Sequence, residues 1–395
     1  MHPAEFQCPR AGKVVRTPSG YPAEGLGVAA FVPAPLPPEL TYDSTLAVQL
    51  SRADAAVSEL SGLGRRLPNP HLLIAPALRR EAVLSSRIEG TRATLSDLLL
   101  DEVHIRPQHD PADVHEVRNY VYALEYGIQR LQELPLSLRL VREIHARLME
   151  GVRGQQATPG EFRRSQNWVG PPGSNPTTAP YVPPPPSEMM ETLSDWERFL
   201  HERDTMPDLI QCAVTHEQFE AIHPFLDGNG RVGRLLIVLF LMERGRLSAP
   251  LLYLSAYIEA HRQEYYDLLQ RVRTHGDWDS WIRFFLTGVK ETATVAVKQA
   301  DYLMNLREAF RSRLGNKPRA LALVDHLFVN PYMTVSRAAE LLSTSNQTAR
   351  QAVRVLEDED ILQEVTGRRW GRVYLAGPIL EAIEGHPEGG AATEE

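Results

Sequence analysis

Apolar side chains recur every three to four positions from about Thr45, the spacing of helices that bury one face. The period returns over Ala77 to Glu89, Val114 to Leu131, Leu136 to Gly151 and Ser187 to Glu202. It continues through Leu209 to Ile222, Val232 to Arg244, Gln263 to Thr274 and Trp278 to Arg313, so an all-α fold is expected. One stretch cannot join it. Val169 to Pro186 holds eight prolines and two glycines, which forbid a helix. Inside it, Thr177 to Val182 suits a short hairpin or an extended flap.

The two ends of the chain read differently. Residues 1–40 are rich in Pro and Gly and predict an arm that is extended along the surface or partly disordered. From Lys317, helical patterns over Leu321 to Phe328, Val335 to Leu342 and Asn346 to Glu357 are followed by two strand-like runs, Leu362 to Val365 and Arg372 to Leu375. Three helices and a hairpin with a basic tip describe a winged helix-turn-helix. The tail after Gly385 is small and acidic and should be disordered.

Composition narrows the class. A chain of 395 residues accommodates two or three domains, each with its own core. No apolar run approaches a membrane span and no secretory signal opens the chain, so no membrane contact is expected. Cys8 and Cys212 form neither a disulfide framework nor a zinc ribbon, which together point to a reducing cytoplasm. The net charge of −8 argues against a non-specific nucleic-acid coat. Between Lys317 and Tyr374, eight Lys/Arg stand against seven Asp/Glu, less basic than most DNA binders. Arg350 and Arg354 still share a helix face, and Arg368, Arg369 and Arg372 crowd the wing. Weak DNA contact and protein docking both stay open.

The densest chemistry lies between His223 and Arg234. Gly228 and Gly230 flank Asn229 and permit positive φ, so successive N–H groups can converge into an anion-binding nest that opens onto a helix N-terminus. Arg231 and Arg234 fall on one face of that helix and can clamp phosphate oxygens. Asp227 is a hard oxygen ligand suited to Mg²⁺ beside polyphosphate, and His223 suits a general base. An ordinary Gly-Asn-Gly turn remains the alternative. His216, Glu220 and His223 share a helix face that could hold zinc, but the H-E-x-x-H pattern is absent. Glu89 sits in a last helical turn, against the dipole, with Gly90 as a natural cap; it reads as an exposed acid or as one with a cationic partner. Tyr265 and Tyr266 read as packing aromatics.

His223 to Arg234 also resembles, at every fixed position, the Fic family signature His-Pro-Phe-x-Asp-Gly-Asn-Gly-Arg-x-x-Arg. The resemblance implies a Fic helical bundle with a short β flap, here followed by the winged helix-turn-helix. It implies transfer of AMP from ATP to a Tyr, Ser or Thr hydroxyl of a target protein, with release of pyrophosphate. His223 would deprotonate the acceptor and Asp227 would hold Mg²⁺. Gly228, Asn229 and Gly230 would cradle phosphates, while Arg231 and Arg234 bind the polyphosphate. Ser85, Glu89 and Gly90 match a Ser/Thr-x-x-x-Glu-Gly/Asn motif, which implies an inhibitory helix whose Glu89 takes Arg234 from the γ-phosphate. Tyr265 and Tyr266 resemble a pair near the adenosine; Arg273 stands where some relatives place an Asn near adenine. Thr178, Ala179, Pro180 and Tyr181 correspond to a flap that aligns the target peptide by strand pairing.

With that likeness the chain divides into an arm (1–40), an N-terminal helical region with the inhibitory helix (41–105), a catalytic core (106–295), a linker helix (296–316), the winged helix-turn-helix (317–383) and a tail (384–395). Self-modification and a homodimer are compatible with it, and the target protein is not named by any residue. The rival reading is a DNA-binding regulator that uses the pocket as a nucleotide sensor.

Overall fold

A computed structural model describes residues 1–17, 27–66, 69–152 and 158–385. Strands β1 (Gly12–Arg16) and β2 (Ala29–Pro33) precede helices α1 (Ser44–Arg66), α2 (His71–Ile88), α3 (Leu95–Glu102), α4 (Pro111–Arg130) and α5 (Leu138–Leu148). Helices α6 (Pro186–His201), α7 (Asp208–Ile222), α8 (Asn229–Glu243), α9 (Ser255–Ala260), α10 (Arg262–His275) and α11 (Trp278–Leu314) follow. The chain ends through α12 (Pro318–Val329), β3 (Tyr332–Thr334), α13 (Val335–Leu341), α14 (Asn346–Asp358), β4 (Gln363–Glu364), β5 (Val373–Leu375) and α15 (Gly377–Glu384). The fold is all-α in class, as the periodicity predicts. No helix among the described residues is long and apolar enough to cross a membrane.

The chain folds into two compact units that interleave along the sequence. The first comprises Met1–Ser58, Asn119–Leu247 and Leu254–Thr292; the second comprises Glu59–Arg118, Ser248–Tyr253 and Ala293–Glu395. Neither unit is one consecutive block of sequence.

At the centre of the first unit lies α7, whose residues from Leu209 to Ile222 are all buried, packed against an equally buried α8. A helix buried all round cannot be amphipathic, and its polar side chains must find partners inside. They do. Gln211 donates to the Phe199 carbonyl at 2.7 Å and accepts from Arg244 at 2.8 Å. The α7 carbonyls of Ala213 and Thr215 accept from the indoles of Trp281 and Trp196, both at 2.9 Å.

The first forty residues depart from the expected arm. β1 and β2 pair antiparallel, Gly12 opposite Pro33, and Phe6, Ala30 and Phe31 are buried in one cluster with Ala179, Tyr181 and Val182. Proline and glycine content predicts extended chain, and extended chain is what the strands are. The misread part is their burial, because the partner surface lies about 150 residues downstream.

In the second unit α2 packs against α12, α15 and α3. Glu102 on α3 ties the assembly together: it accepts from Arg79 of α2 at 2.6 Å and from the Asn330 amide, just past α12, at 3.1 Å. β3, β5 and β4 form a three-stranded antiparallel sheet in that order, beside α12, α13 and α14. Side-chain caps start the helices: Thr94 and Asp97 make a reciprocal box at α3, Thr334 caps α13 and Ser345 caps α14. β3 and α15 carry too few residues for a periodic signal and were not anticipated. The expected tail beyond Gly385 lies outside the described residues.

Candidate active site

The loop between α7 and α8 carries the signature residues. His223 caps α7 in the left-handed conformation, φ 50° and ψ 60°, with its N–H bonded to the Phe219 carbonyl at 2.9 Å. That conformation ends the helix and turns the imidazole off its axis; for a non-glycine residue it costs energy that neighbours must supply. Here the His223 carbonyl is gripped by Arg163 Nε at 2.9 Å and by Asn167 Nδ2 at 3.3 Å. Asn167 also reaches the Phe225 carbonyl at 2.8 Å, and Arg163 the carbonyls of Pro184 and Ile222. Arg163 is buried, and desolvation lowers its guanidinium to about 10, still fully charged at neutral pH. It serves as a scaffold for carbonyls rather than as a ligand-binding cation.

His145 of α5 holds the other side of the loop. Its ring stacks on Phe225 at 3.7 Å, and burial holds its imidazole down at about 4, so it is neutral. Gly160 N–H donates to Nδ1 at 2.9 Å, which places the remaining proton on Nε2, 3.0 Å from the Asp227 carbonyl that accepts it. Neither His145, Arg163 nor Asn167 was singled out as a site residue. A residue that acts only through carbonyls leaves no chemical pattern in sequence.

The expected nest is half realised. Gly228 adopts φ 78° and caps α8, which begins directly at Asn229, whereas Gly230 is helical within the first turn. The amide of Asn229 was expected among the phosphate-cradling groups. Instead its Oδ1 accepts from Phe225 N–H at 2.8 Å and its Nδ2 donates to the Phe225 carbonyl at 2.9 Å, closing the loop on itself. The first-turn N–H groups of α8 have no intrahelical acceptor and can face an anion. Arg231 and Arg234 project from the same helix, both buried, while Asp227 is half exposed with Oδ1 3.6 Å from Arg231 Nη2. A Cβ on Gly228 would meet Met149 Sδ at 3.0 Å. Gly228→Ala is therefore expected to cost about 1–2 kcal/mol for the left-handed backbone alone, read as a lower urea midpoint with an unchanged slope.

Tyr265 and Tyr266 separate in role. The Tyr265 ring is buried against Trp281, and its hydroxyl donates to His216 Nε2 at 2.9 Å. His216 in turn donates from Nδ1 to the Gly233 carbonyl at 3.1 Å, burial keeping the ring neutral, down at about 3. Both nitrogens are committed, so His216 is no metal ligand, and Tyr265 belongs to the core as the packing reading had it. Tyr266 is 39% exposed, with the Arg262 guanidinium 5.9 Å over its ring. In the flap, Thr178 and Pro180 are exposed while Ala179 and Tyr181 are buried, and Tyr181 pairs antiparallel with Val169.

Ser85, Glu89 and Gly90 lie in the second unit. Ser85 is wholly buried, and α2 ends at Ile88 with Glu89 as an exposed cap and Gly90 at φ 105°. Gly90 N–H bonds to the Arg87 carbonyl and Thr91 N–H to that of Ser86, the paired closure of a Schellman turn.

A loop that joins a left-handed histidine, a capping glycine and a helix N-terminus with two buried arginines can receive an anion, and the domain that carries it is helical. Residues 47–129 match the Fic/DOC family N-terminal region and residues 135–241 match the Fic/DOC family, so the chain carries a domain that belongs to that family. Among curated proteins it is similar to protein adenylyltransferase Fic of Aedes aegypti, 33% identical over 160 residues, covering 40% of this chain and 28% of that protein. The same-named protein of Drosophila erecta is 28% identical over 211 residues, covering 52% and 39%. The chain thus spans well under half the length of these relatives. A Fic family protein from Desulfovibrio desulfuricans G20 superposes with a TM-score of 0.57 over 86% of this chain and 98% of its own, at 19% identity, a likeness of fold.

Proposed function

We propose that the chain is a protein adenylyltransferase: it transfers AMP from ATP to a Tyr, Ser or Thr hydroxyl of a target protein. The observation that carries this reading is the loop itself, with the His223 imidazole at the end of α7 and two buried arginines on the first turns of α8. The hydroxyl gives its proton to His223 while its oxygen bonds to the α-phosphorus; the bond to the bridging oxygen breaks and pyrophosphate leaves. First-turn N–H groups of α8, Arg231 and Arg234 hold the phosphates and stabilise the charge that develops. The half-exposed Asp227 carboxylate beside that N-terminus fits Mg²⁺, which keeps waters and takes phosphate oxygens alongside one or two carboxylates. Bound there, the ion would neutralise polyphosphate charge.

Within the same reading, Glu89 restrains the reaction by pairing with Arg234, and the chain itself, alone or as a homodimer, is among its acceptors. Incubation with a cell lysate tests the whole: α-labelled ATP should label proteins beyond those labelled in lysate alone, and γ-labelled ATP should add none beyond that control. No added label from α-labelled ATP, with wild type and with a Glu89→Gly variant, would sink the proposal.

A second reading concerns the C-terminal elements. Arg350 and Arg354 are exposed on α14, and Trp370, 76% exposed, stands between Arg369 and Arg372. These groups suit weak contact with duplex DNA. Binding of the full chain to mixed duplexes should be detectable at low salt and fade steeply as salt rises. The absence of any shift at low salt would favour docking to protein.

A further inference from the structure

We propose that Arg273 is a positioning residue that sets the register of the target-aligning flap; the inference rests on the adenylyltransferase reading for what the flap aligns. The family resemblance puts Arg273 where some relatives have an Asn near adenine, yet its guanidinium is committed elsewhere. Nε donates to Glu217 Oε1 at 3.1 Å, and the guanidinium carbon lies 4.2 Å over the ring of Tyr181. All three side chains are buried: Arg273 is 6% exposed and Glu217 and Tyr181 are 1% exposed. A cation held dry over an aromatic face, with its counter-ion beside it, is a strong and directional clamp.

Each member of the clamp belongs to a different part of the machinery. Glu217 is on α7, six residues before His223, and Tyr181 is the flap residue whose backbone pairs with Val169. The Tyr181 hydroxyl donates to the Ala221 carbonyl at 2.6 Å, two residues before His223. One turn earlier on α10, Gln270 Nε2 reaches the Pro180 carbonyl at 3.4 Å. The rings of Phe6 and Phe31 also lie within 6.2 Å of the Tyr181 ring, and Phe31 N–H donates to the Val182 carbonyl at 2.8 Å. The flap is thereby tied to the helix that carries His223. A peptide paired on the flap presents its hydroxyl at a distance set by that tie, and a misplacement of about 1 Å can cost on the order of 100-fold in rate.

Replacing the ion pair by near-isosteric neutral groups, Arg273→Met with Glu217→Gln, removes the cation together with the carboxylate it bonds, while the buried Glu220 that the guanidinium also faces stays in place. The double variant should melt close to wild type and bind ATP as tightly. Amide exchange at Val169 and Phe31 should quicken by about tenfold or more while exchange along α8 stays unchanged, the sign of local opening. Transfer from α-labelled ATP to lysate proteins should fall by at least about tenfold in kcat/KM for the acceptor. Arg273→Lys, which keeps the charge and loses the planar stacking, should lie between the two on both readouts. Unchanged flap exchange overturns the proposal, as does a uniform rise of exchange across the unit in both variants. If wild type transfers nothing, the adenylyltransferase reading fails on its own, and the flap amides still decide whether Arg273 is the clamp.

Discussion

Replacing His223 by alanine is expected to slow AMP transfer by roughly 100- to 10,000-fold, the usual cost of losing a general base, while ATP still binds. The loop should survive, because what holds it is main chain: the His223 carbonyl is gripped by Arg163 and Asn167, and its N–H by Phe219. Alanine meets much the same left-handed penalty at φ 50° as histidine does, so the change removes the imidazole and little else. Single-turnover transfer and equilibrium ATP binding, measured on the same preparation, separate the possibilities. A wild-type rate would unseat His223 as the base, and loss of ATP affinity would make it a binding residue.

The second large effect runs in the opposite direction. Glu89→Gly should raise labelling, self-labelling included, by about 10- to 100-fold. That is the equivalent of one hydrogen bond to a charged group, worth about 1.5–3 kcal/mol. The helix should lose little, since α2 is already closed by Gly90 and Thr91 after Ile88 and the Glu89 side chain is exposed. If Glu89 withholds Arg234 from the γ-phosphate, its removal lets the nucleotide settle with the α-phosphorus toward the acceptor. An unchanged rate would mark an ordinary surface acid, and a lower one a catalytic acid.

How much of this was legible depended on whether a residue's role is local. The helices between Ser187 and Arg313 followed from periodicity, because burial of one face repeats along the chain. α7 is the instructive case: its run was readable as helical, but its burial on every side was not, and six of its polar residues sit inside. The turn chemistry of Gly228 and Gly90 was readable because positive φ is a property of one residue. Asn229 and Arg273 were not, since their partners, Phe225 and Glu217, decide where the side chains go. The paired strands of the first forty residues were hidden for the same reason on a longer scale.

The packing of α2 against α12 and α15 has a thermodynamic corollary. The helix that ends at Glu89 shares its hydrophobic interior with the elements that display Arg350, Arg354 and Trp370. Elements that share one interior open together, so a substitution that loosens α12 is expected to quicken amide exchange in the last turn of α2 as well.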